Sequence, residues 1–304
     1  MAEFRARADE VRVLITGGTG FVGPHVVRAI ANAGHDLKLL VRDSTRSREL
    51  PGQPVVGEMT NTVSLQHAVE GVDAVVHLVA IRQGREEQFK RVMEQGTRDL
   101  VAAAKDAGVQ RFVLMSALGT SEETKDLVPY YHAKWEMEQA IKGSGLEHVI
   151  FRPSFVFGRD GGILPTFRKL AKLTPMTPVI GSGEQRIQPI WADDVAAYFA
   201  AALDKPETTN RTFELGGPDI ASWNEFWQRL RAALGIRRRP IAHIPIKLMR
   251  INALVTERLP GDIPLTRDLL TMLEHGDNVV SNDYTVQTFQ LPLVPLDEQL
   301  RRAA

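Results

Sequence analysis

Tyr130 and Lys134 stand four residues apart in the stretch LMSALGTSEETKDLVPYYHAKWEMEQA, residues 114–140. On a helix that spacing is about one turn, so both side chains leave one face. A phenol with pKa ~10 exchanges protons poorly at neutral pH. A lysine cation beside it favours the phenolate and brings it into range for proton exchange with a carbonyl or an alcohol. Such a pair usually works with a hydroxyl that polarises the substrate oxygen. Ser116 is the nearest candidate, followed by Ala117 and Leu118; Thr120 and Ser121 are substitutes if the loop folds back. The bland alternative is a buried tyrosine beside a surface lysine on an amphipathic helix. Tyr131 has the wrong spacing for the acid/base role.

What decides between these readings lies near the N-terminus, in VRVLITGGTGFVGPHVVRAI. A β-branched strand ends at Thr16, a helix begins near Phe21, and Gly17-Gly18-Thr19-Gly20-Phe21-Val22-Gly23 joins them. One glycine permits the tight turn, another lets the backbone approach a pyrophosphate, and Gly23 lets the helix pack on the strand. The anion then rests on the helix N-terminus, and Pro24 suits that start. This strand–turn–helix context reads as a dinucleotide site built from Gly17, Thr19, Gly20, Phe21, Val22 and Gly23. The second strand, DLKLLVR, ends at Arg42, where an arginine accommodates a ribose 2′-phosphate and an acidic residue would meet a free hydroxyl. Arg46 and Arg48 add positive potential, while Asp43 could turn inward. NADP(H) is the favoured cofactor and NAD(H) the other candidate.

These residues need a scaffold, and the sequence outlines one. Apolar strand candidates at Val11–Thr16, Leu37–Val41, Val55–Gly57, Ala74–Val79, Arg111–Met115 and His148–Arg152 alternate with helical patterns. The helices run over Pro24–Ala33, Val63–Glu70, Glu86–Ala107 and Tyr130–Lys142, followed by Gly34, Gly71, Gly108 and Gly143 as expected C-terminal caps. The alternation predicts an α/β fold, a Rossmann-like doubly wound parallel sheet covered on both faces. After Arg152 prolines and glycines become frequent. Helices resume at Ala192–Leu203, Trp223–Leu234 and Thr266–Leu273. Residues 1–152 read as the dinucleotide-binding core, and 153–304 as a segment completing that core and forming a smaller substrate or lid lobe.

Composition removes other classes. Among 304 residues, Lys+Arg and Asp+Glu both number 37, so no global charge points to nucleic acid or an anionic membrane. Arg237-Arg238-Arg239 reads as a solvated helix end. The absence of cysteine excludes disulfides, thiol nucleophiles and cysteine metal sites, and the 8 histidines show no His-x-x-x-His spacing, so no metal site is expected. The longest apolar stretches, such as Val195–Leu203, fall short of the roughly 20 residues a membrane span needs. MAEFRARADE does not fit a signal peptide, so a cytoplasmic location is expected, peripheral to a membrane only through a partner.

With TGGTGFVG and Tyr130-x-x-x-Lys134 in place, the chain resembles the short-chain dehydrogenase/reductase superfamily over most of its length. GEMTN, VDAVVHLVA, EQGTRDLV, FRPSFVFG and IWADDVA resemble its extended and atypical branches. SAL, RPSFVFG and WADDVA together look most like the atypical group that includes the nucleotide-binding accessory subunit of respiratory complex I. The resemblance implies that Glu58 and Met59 lie beside the adenine, and Val79, Ala80 and Ile81 along the ribose. It also implies that Pro153, Ser154, Phe155 and Val156 sit near the nicotinamide, while Lys134 binds its ribose. It puts Tyr130 as acid/base, with Ser116 or Thr120 as polariser, yet a plausible register places Leu118 where the polarising hydroxyl belongs. Losing one such donor costs roughly 10²–10³ in rate. Met93 replaces an asparagine common in relatives.

On the substrate side, Arg152, Arg159, Arg186 and Trp191 are candidates, Arg186 and Trp191 foremost; for Arg186 the alternative is an ion pair within the lobe. Asp193 and Asp194 are expected to cap a helix. Three functions follow: an NADP(H)-dependent oxidoreductase or epimerase acting on a small carbonyl or hydroxyl compound, a non-catalytic NADPH-binding accessory subunit or redox sensor, or a nucleotide-sugar epimerase or dehydratase. The expected partners are a dinucleotide and an unidentified small molecule, with a protein partner or a homodimer through Glu86–Ala107 and Tyr130–Lys142 by analogy.

Overall fold

The computed structural model describes residues 11–81, 83–257 and 265–304. The leading MAEFRARADE, used above against a signal peptide, lies outside the described residues. The chain forms two compact units that interleave along the sequence. One holds the residues up to Ser116, Ala133–Phe151 and Val195–Phe213; the other holds Ala117–His132, Arg152–Asp194 and the chain from Glu214 onward.

The first unit is built on the sheet that strand–helix alternation predicts. β1 (Arg12–Thr16), β2 (Asp36–Val41), β3 (Gln53–Val56), β4 (Ala74–His77), β5 (Arg111–Met115) and β6 (Glu147–Pro153) join a seventh strand, Arg211–Leu215. The sheet is parallel, in the order Arg211–Leu215, β6, β5, β4, β1, β2, β3. All of β4 and β1 from Val13 onward are buried, the state that a run of valine, leucine and isoleucine on both faces requires. The strand order reverses between β1 and β4, the switch point at which open α/β sheets take ligands. Register lines up the carboxyl ends: Thr16 lies opposite Leu40 and His77, His77 opposite Leu114, and Met115 opposite Phe151. Residues following β1, β2, β4 and β5 therefore leave one edge of the sheet together.

Helix Gly23–Asn32 carries Pro24 in its first turn and buries Val26, Val27 and Ile30 along one stripe. Burying each of those side chains stabilises the fold by about 1.5–3 kcal/mol. The single helix expected over Glu86–Ala107 is three pieces: a turn Glu86–Phe89, a π-helical segment Lys90–Gln95, and an α-helix Gly96–Asp106. Two local contacts accompany the widened turn. The Thr97 hydroxyl donates to the Met93 carbonyl at 2.5 Å, and Gly96 lies so close to Met59 that a Cβ would come within 2.9 Å of its carbonyl oxygen. Gly34, Gly71 and Gly108 take the left-handed turn expected after a helix; after Pro129–Lys142 it falls at Gly145 rather than Gly143.

The second unit holds short strand pairs: Val156–Phe157 with Ile190–Trp191, Arg186–Ile187 with Ala221–Ser222, and Thr177–Ile180 with Ile241–Ile244. Its core gathers Phe157, Leu164, Trp191, Phe226, Trp227 and Leu300. Helices Leu164–Leu173, Ile246–Thr256, Asp283–Phe289 and Leu296–Ala303 add to those expected from sequence. Arg237 to Arg239 lie in the loop after helix Trp223–Ala233 rather than at its end, and the Arg239 guanidinium donates to the Thr174 carbonyl.

Candidate cofactor and catalytic site

The glycine turn has the geometry that an anion site needs. Gly17 has φ +79°, and a Cβ there would stand 2.9 Å from the Leu78 carbonyl carbon and the Val79 nitrogen. A Cβ on Gly23 would come within 2.4 Å of the Gly18 carbonyl group, so helix and turn touch backbone to backbone. The Gly20 amide donates to the Gly17 carbonyl at 3.0 Å and closes the turn, leaving Gly20 exposed and Thr19 and Phe21 half-buried. Helix Gly23–Asn32 starts between the turn's end near Phe21 and the helical pattern expected from Pro24. Val22 gives it no side-chain cap, and its first turn holds no acidic residue. Its N-terminal amides and positive dipole end are thus left for a ligand.

A buried histidine ties the turn's neighbours together. The Thr16 hydroxyl meets His77 Nδ1 at 2.5 Å, and His77 Nε2 meets the Thr97 hydroxyl at 3.0 Å. Because Thr97 donates its only proton to Met93, it accepts from Nε2–H, and Nδ1 accepts from Thr16. Burial, reinforced by the charge of Lys134, lowers the His77 pKa to about 3. This neutral ring braces β1, β4 and the segment around Met93. Sequence reasoning missed it, since a lone histidine in an apolar strand gives no signal of its partners.

Arg42 and the candidates named beside the adenine and along the ribose lie just past β2, β3 and β4. Arg42 is exposed directly after Val41. Asp43 is engaged locally: one carboxylate oxygen accepts from the Thr45 hydroxyl at 2.8 Å and the Thr45 amide at 2.9 Å. Glu58 is exposed, with its amide on the Ser64 hydroxyl, while Met59 is buried. Val79, Ala80 and Ile81 are half-buried beyond His77.

Tyr130 and Lys134 both lie on helix Pro129–Lys142. Tyr130 is half-buried, whereas Lys134 is fully buried and its ammonium donates to the Met115 carbonyl at 2.6 Å, at the end of β5. Loss of hydration pulls the Lys134 pKa down to about 7, and the Glu138 carboxylate one turn further opposes that fall. Ser116 is committed elsewhere: its buried hydroxyl donates to Glu138 at 2.6 Å. It therefore supports the carboxylate that faces Lys134. Thr120 differs, because its hydroxyl is buried without a hydrogen-bond partner among the described residues.

Within the second unit, Pro153 to Val156 are held by structural bonds. The Pro153 carbonyl accepts from the Leu118 amide, Ser154 donates its hydroxyl to the Gln188 carbonyl, and the Phe155 amide donates to the Asn278 side chain. Phe155 lines a cavity of about 420 Å³, together with Leu118, Tyr131, Phe167, Trp223 and Arg186. Arg186 pairs with Asp277 at 2.7 Å, the ion pair weighed against ligand contact. Trp191 does not line the cavity; it is buried in the core, its indole donating to Asp193 at 3.0 Å. Arg152 and Arg159 are also outside the lining. Asp194, expected as a cap, accepts from the Val294 amide at 2.8 Å, and burial pushes its carboxyl up to about 6. Tyr131, set aside on spacing, is a wall residue whose phenol burial pushes up to about 12.

A doubly wound sheet with an open glycine turn at its switch point defines a nucleotide-binding α/β protein. The family model described as NAD(P)H-binding matches residues 17–206, and the chain belongs to that family, of the atypical short-chain dehydrogenase/reductase type. It is 31% identical over 248 residues to a ceramide reductase of Caulobacter vibrioides, covering 80% of this chain and 77% of the relative. It is 26% identical over 308 residues to subunit 9 of the NADH dehydrogenase (ubiquinone) 1 alpha subcomplex of Arabidopsis thaliana, covering 89% and 76%. In structure it resembles the Citrobacter triphenylmethane reductase complexed with NADP(H), with a TM-score of 0.76 and 19% identity over 96% of this chain and 100% of the other. No described helix is long and apolar enough to cross a membrane.

Proposed function

We propose that the protein is an NADPH-dependent reductase of a carbonyl compound. The observation that carries this reading is Lys134, a lysine with no exposed surface and a pKa drawn down to about 7, one helical turn past Tyr130. Burying an amine is costly, and such perturbed groups gather at functional sites. When bound, the reduced nicotinamide supplies hydride to the carbonyl carbon. Tyr130 gives its phenolic proton to the carbonyl oxygen and regains one from solvent. Lys134 holds the cofactor ribose and biases the phenol toward giving up that proton, with Glu138, fixed by Ser116, supporting the lysine's charged form. Thr120, whose hydroxyl lacks a partner among the described residues, takes the polarising role assigned by resemblance to either hydroxyl. Leucine at 118 and the commitment of Ser116 predict a slow enzyme.

Two observations support NADPH over NADH in this reading. Arg42 stands exposed at the end of β2, and Asp43, the residue that would meet a free 2′-hydroxyl, is held by Thr45. A second reading, a subunit that keeps the dinucleotide without turnover, is favoured by the tied-up Ser116 and by the likeness to a complex I subunit. Incubation with 4-deuterated NADPH and a panel of carbonyl compounds separates the two. Deuterium in the product, reduced at least ~10²-fold by Tyr130→Phe, is expected. Tight NADPH retention with no transferred label in either protein sinks the reductase reading.

A further inference from the structure

The second unit encloses a space whose chemistry differs from that of a phosphate site. Its wall is aromatic and aliphatic: Phe167 packs edge-on against Trp223 with centroids 5.6 Å apart and is tilted against Trp227 at 5.3 Å, while Phe155 meets Trp223 at 5.6 Å. The volume, about 420 Å³, falls in the range of small-molecule pockets, about 300–1,000 Å³. Two wall residues carry polar atoms without partners. Trp223 is only 8% exposed, and among the described residues its indole N–H is buried with no acceptor and the Gln185 side-chain oxygen is buried with no donor. The position of Trp223 is fixed, because it opens helix Trp223–Ala233 directly after Ser222, which forms a reciprocal capping box with Glu225. A buried N–H left unpaired costs about 1–3 kcal/mol, so a ligand oxygen placed there recovers that loss.

The charged members of the wall argue against a nucleotide. Among the described residues of the wall Arg186 is the one arginine and there is no lysine, and the Arg186 guanidinium and amide both meet the Asp277 carboxylate at 2.7 Å. That carboxylate is held below its usual range by the same backbone and side-chain bonds. A diphosphate would lie beside Asp277 and compete with it for Arg186, the only strong cation among the described residues of the wall.

We propose that this cavity binds an uncharged, largely apolar molecule of the aryl-ketone or quinone type, its carbonyl oxygen accepting from the Trp223 indole. That this molecule is also the hydride acceptor rests on the reductase reading above; its binding does not. Nile red, a neutral planar dye with one carbonyl, serves as the probe for the intact protein, with benzophenone and UDP-glucose as competitors. Saturable 1:1 enhancement of dye fluorescence is expected, displaced by benzophenone and not by UDP-glucose. Thr166→Trp, which places a large ring in the lining, should abolish saturable binding while NADPH affinity stays unchanged. Trp223→Phe keeps a ring but removes the N–H and should weaken Nile red about 3- to 10-fold, testing the site even if the first variant fails to fold. Displacement by UDP-glucose at least as good as by benzophenone, absence of saturable binding, or affinity untouched by both variants overturns the assignment. Dye binding without label transfer from 4-deuterated NADPH leaves the cavity standing and removes the reductase. Label transfer to a small aldehyde without dye binding does the reverse.

Discussion

The two units make their sites from different materials. In the first, the candidate ligand surface is mostly backbone: amides at the start of helix Gly23–Asn32, glycines without side chains, and carboxyl ends aligned by sheet register. In the second, the cavity wall is side chain, drawn from positions as far apart as Leu118 and Asn278. A backbone site tolerates little change and recognises a ligand part common to many enzymes. A side-chain site changes chemistry with each substitution. On the reading proposed above, the contrast predicts that cofactor and substrate specificity are separable in this chain.

The sharpest way to break that contrast is Gly23→Val. Its Cβ would overlap the Gly18 carbonyl group at 2.4 Å, and backbone cannot move aside as a side-chain tip can. NADPH affinity should fall more than ~100-fold and stability by more than ~3 kcal/mol, read by calorimetry and denaturant melting; an unimpaired variant refutes the close packing of turn and helix. Next in size is acid stability. His77 is neutral when folded, with a pKa near 3 against an ordinary 6.5, so the unfolded chain binds the extra proton. The stability it contributes is complete above pH 6.5 and drains away as pH falls toward 3, a loss on the order of 3–5 kcal/mol. His77→Asn should flatten that limb of a pH-melting series, and a slope that survives the change assigns the acid sensitivity elsewhere. The smallest effect concerns cofactor choice. Arg42→Asp should move the NADPH:NADH affinity ratio at least ~10-fold toward NADH, about 1.4 kcal/mol; an unmoved ratio defeats the role given to Arg42. None of the three should alter Nile red binding where the variant folds, and a change there would couple the two sites.

Much of the first unit was readable because its signals are local. Six strands and the glycine turn follow from short apolar runs and glycine spacing, with shifts of one or two residues at their ends. The π-helical segment at Lys90–Gln95 was not readable, because it comes with contacts to Met59 and Thr97's own carbonyl partner rather than with any breaker residue. In the second unit Leu296–Ala303 buries Leu296, Gln299, Leu300 and Ala303, a helical spacing compressed into eight residues and masked by its charges. Ser116 and Thr120 look alike in sequence; only the fold gives one hydroxyl to Glu138 and leaves the other unpartnered.

By itself the sequence determined the family of fold, the dinucleotide turn and the tyrosine–lysine pair, since each is encoded within one stretch of chain whose backbone preferences act locally. Tertiary structure alone decided that Lys134 is stripped of water, that His77 is a neutral brace, and that Phe155, Phe167 and Trp223 share one wall. Burial and long-range contact set those properties, and neither is a function of neighbours along the chain.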